Sequence, residues 1–143
     1  MKVQEIKFKN LEKNYSILIG DNILKLLPTK IKLLSPKTKK IALIFDRNIP
    51  TNFKRNISKS LKKYKLFSYN FDANEKMKSL KSADLMLGKL LSENFNRSDL
   101  VISIGGGITS DLCGFVASVY KRGISFINIP TTLLSQVDAA VGG

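Results

Sequence analysis

The chain contains no histidine and a single cysteine, Cys113, in its 143 residues. The absence of histidine removes the commonest metal ligand and the commonest general base from any site this chain can build. One cysteine rules out an intramolecular disulfide, and a reducing, cytoplasmic setting is the simplest expectation. Long apolar runs are missing too. None approaches the about 18 residues of a membrane span, so no membrane partner is expected. The N-terminus, MKVQEIKFKN, lacks the apolar stretch of about 7–15 residues that a secretory signal needs. Arginine is also scarce where the charge is concentrated. Residues 1–65 hold 17 Lys or Arg against 4 Asp or Glu, and only Arg47 and Arg55 of those cations are arginine. Residues 66–143 balance at 7 against 7, which leaves a net charge of +13.

A basic half can be a nucleic-acid footprint. Bidentate contacts to phosphates and bases favour arginine, however, and these lysines are scattered over expected helices, strands and loops. A solvated, lysine-rich surface is therefore preferred and no nucleic-acid partner is expected, with a stand-alone basic binding module as the alternative from another class. Length and an apolar content of 43% suit one globular domain, 1–143.

What is present is an alternation of strands and helices. Residues 3–8 and 15–19 read as a hairpin around a polar turn at Leu11–Asn14. Asp21 or Asn22 can cap a short helix through Leu27, and Pro28 to Lys40 reads as a basic connection punctuated by proline. Ile41–Phe45 is apolar on both faces, as parallel strands covered by helices are. A helix starting at Pro50 carries Phe53, Ile57, Leu61 and Tyr64 on one face. Leu66–Phe71 is a strand, and Asn74 is a cap for a helix whose stripe is Leu80, Ala83, Leu87, Leu90, Leu91 and Phe95. Leu100–Ile104 is a buried strand that runs into three glycines. The helix behind them presents Ile108, Leu112, Phe115, Val116 and Val119 to the core. Ser125–Ile129 is a last strand, and Thr131 onward is helical. The expectation is an α/β, Rossmann-like, doubly wound and mostly parallel sheet behind an N-terminal β-hairpin. Gly142-Gly143 is a loop signal directly behind a segment that looks like site chemistry, so the chain is expected to be part of something longer.

Ligands of such sheets bind beyond the C-terminal ends of the strands. Four groups of residues fall there. Gly105-Gly106-Gly107 lets a backbone approach a ligand without an intervening Cβ, and the amides of the helix that follows suit a pyrophosphate. The competing reading is a tight turn; the motif is not G-x-G-x-x-G. Asp111 suits hydrogen bonds from a ribose, nicotinamide or substrate group, or simply a first-turn acid. Asp46 and Asn48 end a strand where a carboxylate can hold ribose hydroxyls, and both are equally at home in a turn. Glu75 and Lys78 can share a helix face, and alone they read as a surface ion pair. Thr131 and Thr132 can meet a cofactor or cap a helix, and Asp138 can point into the same cleft. Arg122 suits a phosphate or carboxylate, or is a loop surface charge. Cys113 reads as a buried, inert thiol.

Taken together, these residues resemble the 3-dehydroquinate synthases. The resemblance runs over most of the chain and is dense from Arg97 to Gly143. Its most specific part is Arg122-Gly123 followed by IPTTLLSQVDAAVGG. GGG followed by Asp111 is shared more widely, with glycerol dehydrogenase-like and iron-dependent alcohol dehydrogenase-like proteins. The resemblance implies NAD as cofactor. It implies Asp46 and Asn48 at the adenosine end, Glu75 and Lys78 as a second ribose clamp, and Gly106, Gly107 and Ile108 as the pyrophosphate loop. Asp111, Thr131, Thr132 and Asp138 line the nicotinamide and active-site end, and Thr109, Ser110 and Leu134 join the cofactor-binding set. Arg122 is a ligand of the substrate phosphate, presented across a dimer interface. Ser110 stands where glycine is common, and Ala139-Ala140 where serines are common.

The implied parent is a homodimeric lyase of the shikimate pathway, on the route to aromatic amino acids. It turns a heptulosonate phosphate, a sugar-phosphate substrate, into 3-dehydroquinate. NAD takes and returns a hydride within one turnover, and zinc or cobalt acts as Lewis acid. The family holds that metal in a helical C-terminal domain with a Glu and two His, none of which this chain contains, so the chain alone is expected to be inactive. A related sugar-phosphate cyclase or a polyol dehydrogenase is the alternative within the class.

Overall fold

A computed structural model describes residues 2–9 and 14–141, with the backbone alone for Asn14 and Val141. The hairpin pairs β1 (Gln4–Lys9) with β2 (Asn14–Ile19) in antiparallel register. Most of its expected turn lies outside the described residues. The remaining strands form one parallel sheet in the order β4-β3-β5-β6. They are β3 (Lys40–Asp46), β4 (Lys65–Phe71), β5 (Leu100–Gly105) and β6 (Ser125–Pro130). The helices are α1 (Leu27–Leu34), α2 (Thr51–Ser60), α3 (Leu80–Ser92), α4 (Gly107–Val119) and α5 (Leu133–Val137).

Alternation along the central strands divides the core in two. Ile41, Leu43 and Phe45 of β3 and Leu100, Ile102 and Ile104 of β5 pack with Leu27 and Ile31 of α1, Ile57 of α2 and Leu61 just behind it. Ala42, Ile44 and Val101 face the other way, onto α3 and α4. Both faces are covered, which is why β3 is apolar from Ile41 to Phe45 and β5 is apolar apart from Ser103. Each fully buried side chain of this kind contributes about 1.5–3 kcal/mol. The chain steps from β3 out to β4, then returns past β3 to β5 and β6. That reversal opens a crevice at the C-terminal ends of β3 and β5.

Several expectations need correction. Pro28 to Lys40 is not a plain connection: α1 occupies Leu27–Leu34, with Pro28 in its first turn, where a missing amide hydrogen costs nothing. Asn22 precedes a 3₁₀ turn in left-handed conformation (φ 56°) and makes no side-chain cap. Asn74 caps only a 3₁₀ turn, Glu75–Met77, and Ser79 caps α3. In α3, Leu80 and Leu91 are exposed and Met86 is buried instead. The buried stripe Ala83, Met86 and Leu90 follows the helical period, and Leu91 lies one residue, or about 100°, off it. In α4, Phe115 and Val119 are exposed, while Cys113, Ala117 and Tyr120 join Leu112 and Val116 in the core. Apolar residues on the flanks of that helix widened the stripe inferred from sequence.

Five lysines among the described residues lie over aromatic rings at 4.7–5.9 Å: Lys40, Lys54, Lys65, Lys89 and Lys121. Their stems cover apolar surface while their charges stay in water. Cys113 is fully buried, and desolvation pushes its thiol up to about 12. Native protein should therefore resist iodoacetamide at mildly alkaline pH and label fast only in urea. Labelling of the native chain at the rate of a free thiol would contradict this burial.

Candidate functional site

The crevice is assembled by glycine. A Cβ on Gly105 would lie 2.8 Å from Thr109 Oγ1 and 3.0 Å from Asp46 Cβ, so only glycine lets β3, β5 and the first turn of α4 converge. A Cβ on Gly106 would meet Thr132 Cγ2 at 3.4 Å, and one on Gly107 would meet Ala139 Cβ at 3.4 Å. Thr131 N–H donates to the Gly105 carbonyl at 2.9 Å. The chain after β6 is thus laid against the glycine loop. α4 has Gly106 at its N-cap and no side-chain cap. Its first-turn amides and the positive end of its dipole are left for a ligand.

Thr109 is fully buried, and its hydroxyl has no hydrogen-bond partner. Such an orphan costs about 1–3 kcal/mol. It sits at the glycine loop, where a bound anion would be its neighbour. Ile108 packs its side chain partly into the core beneath α4, so only its amide can reach outward.

Asp46 Oδ1 accepts the Asn48 amide at 2.9 Å. This is an Asx turn, and it leaves Oδ2 directed by a fixed backbone. Asn48 is exposed beside it. Lys78 does not pair with Glu75. Its Nζ donates to Asp111 Oδ2 at 2.7 Å, across 33 residues of sequence. That hydrogen bond, then the charge of Asp111, hold the Lys78 ammonium above its ordinary value; Glu75 adds a smaller, longer-range attraction. The resemblance gives Lys78 and Asp111 separate jobs; in the structure they form one unit bridging the segment before α3 to the first turn of α4.

Thr132 is the N-cap of α5. Its hydroxyl accepts the Ser135 amide, and its own backbone N–H donates to Ser135 Oγ, completing a capping box. Thr132 thus caps α5, and its methyl faces Gly106. Asp138 ends α5 and is exposed. Leu134 is exposed as well.

Arg122 is not brought to this cluster. It follows α4, at the N-terminal end of β6 and so at the opposite end of the sheet. Lys121 and Arg122 both take left-handed conformations (φ 46° and 69°) ahead of Gly123. Strain of this kind costs about 1–3 kcal/mol per residue and persists only where neighbours enforce it. Here Lys121 Nζ donates to the Phe95 carbonyl at 2.7 Å, and Gly123 N–H donates to the Tyr120 carbonyl at 2.8 Å.

Two residues, Asp99 and Asn128, escaped sequence reasoning. Asp99 is buried at the foot of the sheet and accepts amides from Lys39, Lys40 and Asn96 at 2.8–3.2 Å. Asn128 accepts hydroxyls from Ser103 and Ser110. The signal for the second was one polar residue inside each of the apolar strands VISI and FINI, which the sheet register sets side by side.

Comparison with known proteins gives the context. The chain is 48% identical over 139 residues to a 3-dehydroquinate synthase from Pelagibacter ubique (strain HTCC1062), covering 97% of this chain and 38% of that protein. It thus spans about two-fifths of the length of the curated relatives it matches. Its fold matches the crystal structure of 2-deoxy-scyllo-inosose synthase complexed with carbaglucose-6-phosphate, NAD+ and Co2+. The TM-score is 0.84 at 20% identity, over 95% of this chain and 37% of the other. It also matches 2-epi-5-epi-valiolone synthase from Streptomyces hygroscopicus subsp. jinggangensis 5008 with NAD+ and Zn2+ bound. There the TM-score is 0.75 at 21% identity, over 92% and 36% of the two chains. At such identities the likeness carries the doubly wound fold alone. The family model for the N-terminal part of 3-dehydroquinate synthase matches residues 68–143, from the fourth residue of β4 through the glycine loop to the last residue, and by that match the chain belongs to the 3-dehydroquinate synthase N-terminal family.

Proposed function

We propose that residues 1–143 form the NAD-holding domain of a 3-dehydroquinate synthase, with the dinucleotide lying across the C-terminal ends of β3 and β5. The observation that carries this reading is the uncapped start of α4 at the switch point of the sheet, with the orphaned Thr109 hydroxyl behind it. Both features suit a diphosphate.

In this reading the amides of Gly106, Gly107 and Ile108 take the pyrophosphate, with Thr109 and Ser110 behind them. Asp46, oriented by the Asn48 amide, offers Oδ2 to ribose hydroxyls, and Asn48 assists it. Glu75 and the Lys78–Asp111 unit hold the second ribose and the nicotinamide end. Thr131, Thr132 and Leu134 line the same end as far as Asp138. NAD supplies hydride acceptance and return at a substrate carbon. The substrate class proposed for the parent is a sugar phosphate, a heptulosonate phosphate that loses phosphate to give 3-dehydroquinate. Because Arg122 stands at the far end of the sheet, its proposed role as phosphate ligand requires a second copy of the chain to supply it. Among the described residues no three Cys, Asp or Glu side chains converge on a point that could hold a metal ion. The zinc or cobalt of the family therefore does not fit this chain's residues, and no step is assigned to it here. No described helix is long and apolar enough to cross a membrane.

Titration calorimetry with NAD tests the reading. Saturable heat is expected for the wild-type chain, and Lys78→Met should weaken binding about tenfold with the fold unchanged by circular dichroism. Absence of saturable heat would remove the cofactor role. Supplied with NAD, divalent metal and substrate, the chain should show no phosphate release; measurable turnover would overturn the division of labour proposed here.

A further inference from the structure

Beneath the glycine loop lies a polar contact of three residues, of which only Ser110 has a part in the roles above. Ser103 of β5 and Asn128 of β6 are register partners, and Ser110 stands in the first turn of α4. Ser103 and Ser110 are both buried, at 0% and 3% exposure. Ser103 Oγ donates to Asn128 Oδ1 at 2.5 Å, and Ser110 Oγ donates to the same oxygen at 3.0 Å. Both lone pairs of that oxygen are then used.

Stability does not explain such a group. Three apolar residues of similar shape would hold a core equally well, since a buried hydrogen bond yields only about 0.5–1.5 kcal/mol net. Its geometry is more telling. α4 begins on three glycines that have no side chains to pack, and no side chain caps it. In its first turn, Asp111 reaches outward to Lys78, and Thr109 bonds to nothing. Ser110 is the one residue of that turn whose side chain is hydrogen-bonded to the sheet. Directional bonds fix a rotation about the helix axis that packing of Ile108 alone leaves soft.

We infer that Asn128 is a positioning residue: through Ser110 it fixes the first turn of α4 so that the Gly107 and Ile108 amides face the ligand. The inference rests on the reading that this loop holds NAD. Ser110→Ala deletes the tie without leaving a polar group stranded on the helix. Ser103→Ala deletes an equally buried hydroxyl from the same acceptor and leaves α4 tied, so it controls for a purely structural role.

The expected result is about tenfold weaker NAD binding in Ser110→Ala and in Asn128→Leu, with less than about twofold change in Ser103→Ala. The double variant Ser110→Ala/Asn128→Leu should bind no more weakly than Asn128→Leu, because one tie cannot be lost twice. Hydrogen exchange should quicken at Ser110 and Asp111, the first hydrogen-bonded amides of α4, in Ser110→Ala and stay at the wild-type rate in the last two turns of α4. Wild-type affinity and exchange in Ser110→Ala would overturn the inference. If the wild-type chain takes up no NAD, the cofactor reading falls by itself, and the exchange rates still decide whether Asn128 holds the turn.

Discussion

Gly107→Val should abolish saturable NAD binding, weakening it on the order of 100-fold or about 2.7 kcal/mol, while the chain stays folded. The residue lies at the first position of α4, where amides and ligand must approach within hydrogen-bond distance, and a branched side chain occupies that space. On the protein side the change is mild. A Cβ at 107 meets only Ala139 Cβ, at 3.4 Å, and valine at the first helical position costs a few tenths of a kcal/mol. The neighbouring glycine cannot serve as this probe. A Cβ at 105 would strike Thr109 and Asp46 at 2.8–3.0 Å, so its replacement would confound binding with folding. Calorimetry paired with a urea melt separates the two effects. Unchanged affinity in Gly107→Val would mean that the phosphates do not lie on this loop.

Asp99→Ala should cost about 3 kcal/mol of stability with no direct effect on the crevice. Asp99 is 2% exposed and takes the amides of Lys39, Lys40 and Asn96 on its two oxygens. It ties the start of β3 to the turn entering β5, strands that are neighbours in the sheet and about sixty residues apart in the chain. Alanine strands three amides at once, which is the costly side of hydrogen-bond energetics. Asp99→Asn keeps one acceptor for the β3 amides and turns a donor toward Asn96, so it should lose about half as much. A shift of the urea midpoint with an unchanged slope is the expected signature. Stability within about 0.5 kcal/mol of wild type would show that water replaces the carboxylate at no cost.

The expected strands and helices emerged where the signal is local. IALIF is an uninterrupted apolar run, and VISI is broken only by Ser103, because the central strands of this sheet are buried on both faces; such runs are visible without knowing the partners. α2 follows from Pro50 and the 3.6-residue period, but it ends at Ser60, so Leu61 and Tyr64 of the expected face lie beyond it. The failures have one cause as well. Lysine, proline and serine in 28–40 suggested a loop, yet Leu27 and Ile31 pin that segment to the sheet as α1, and tertiary burial outweighs composition there. Phe115 and Leu91 read as core because they are apolar, yet both are exposed, since a helix face is chosen by what it meets.

The chain's own sequence determined the alternation of strand and helix, the glycine loop at the end of a buried strand, and the placement of Asp46, Glu75, Asp111 and Thr131 after successive strands. Those features depend on the period of the pattern and on turn chemistry, both of which act within a few residues. Only the tertiary structure decided that Lys78 belongs to Asp111 rather than to Glu75, that Arg122 lies at the far end of the sheet, and that Asn128 reaches under α4 to Ser110. The strand order β4-β3-β5-β6 sets those partnerships. It is chosen by which apolar faces bury each other over long stretches of chain, and no local pattern records that choice.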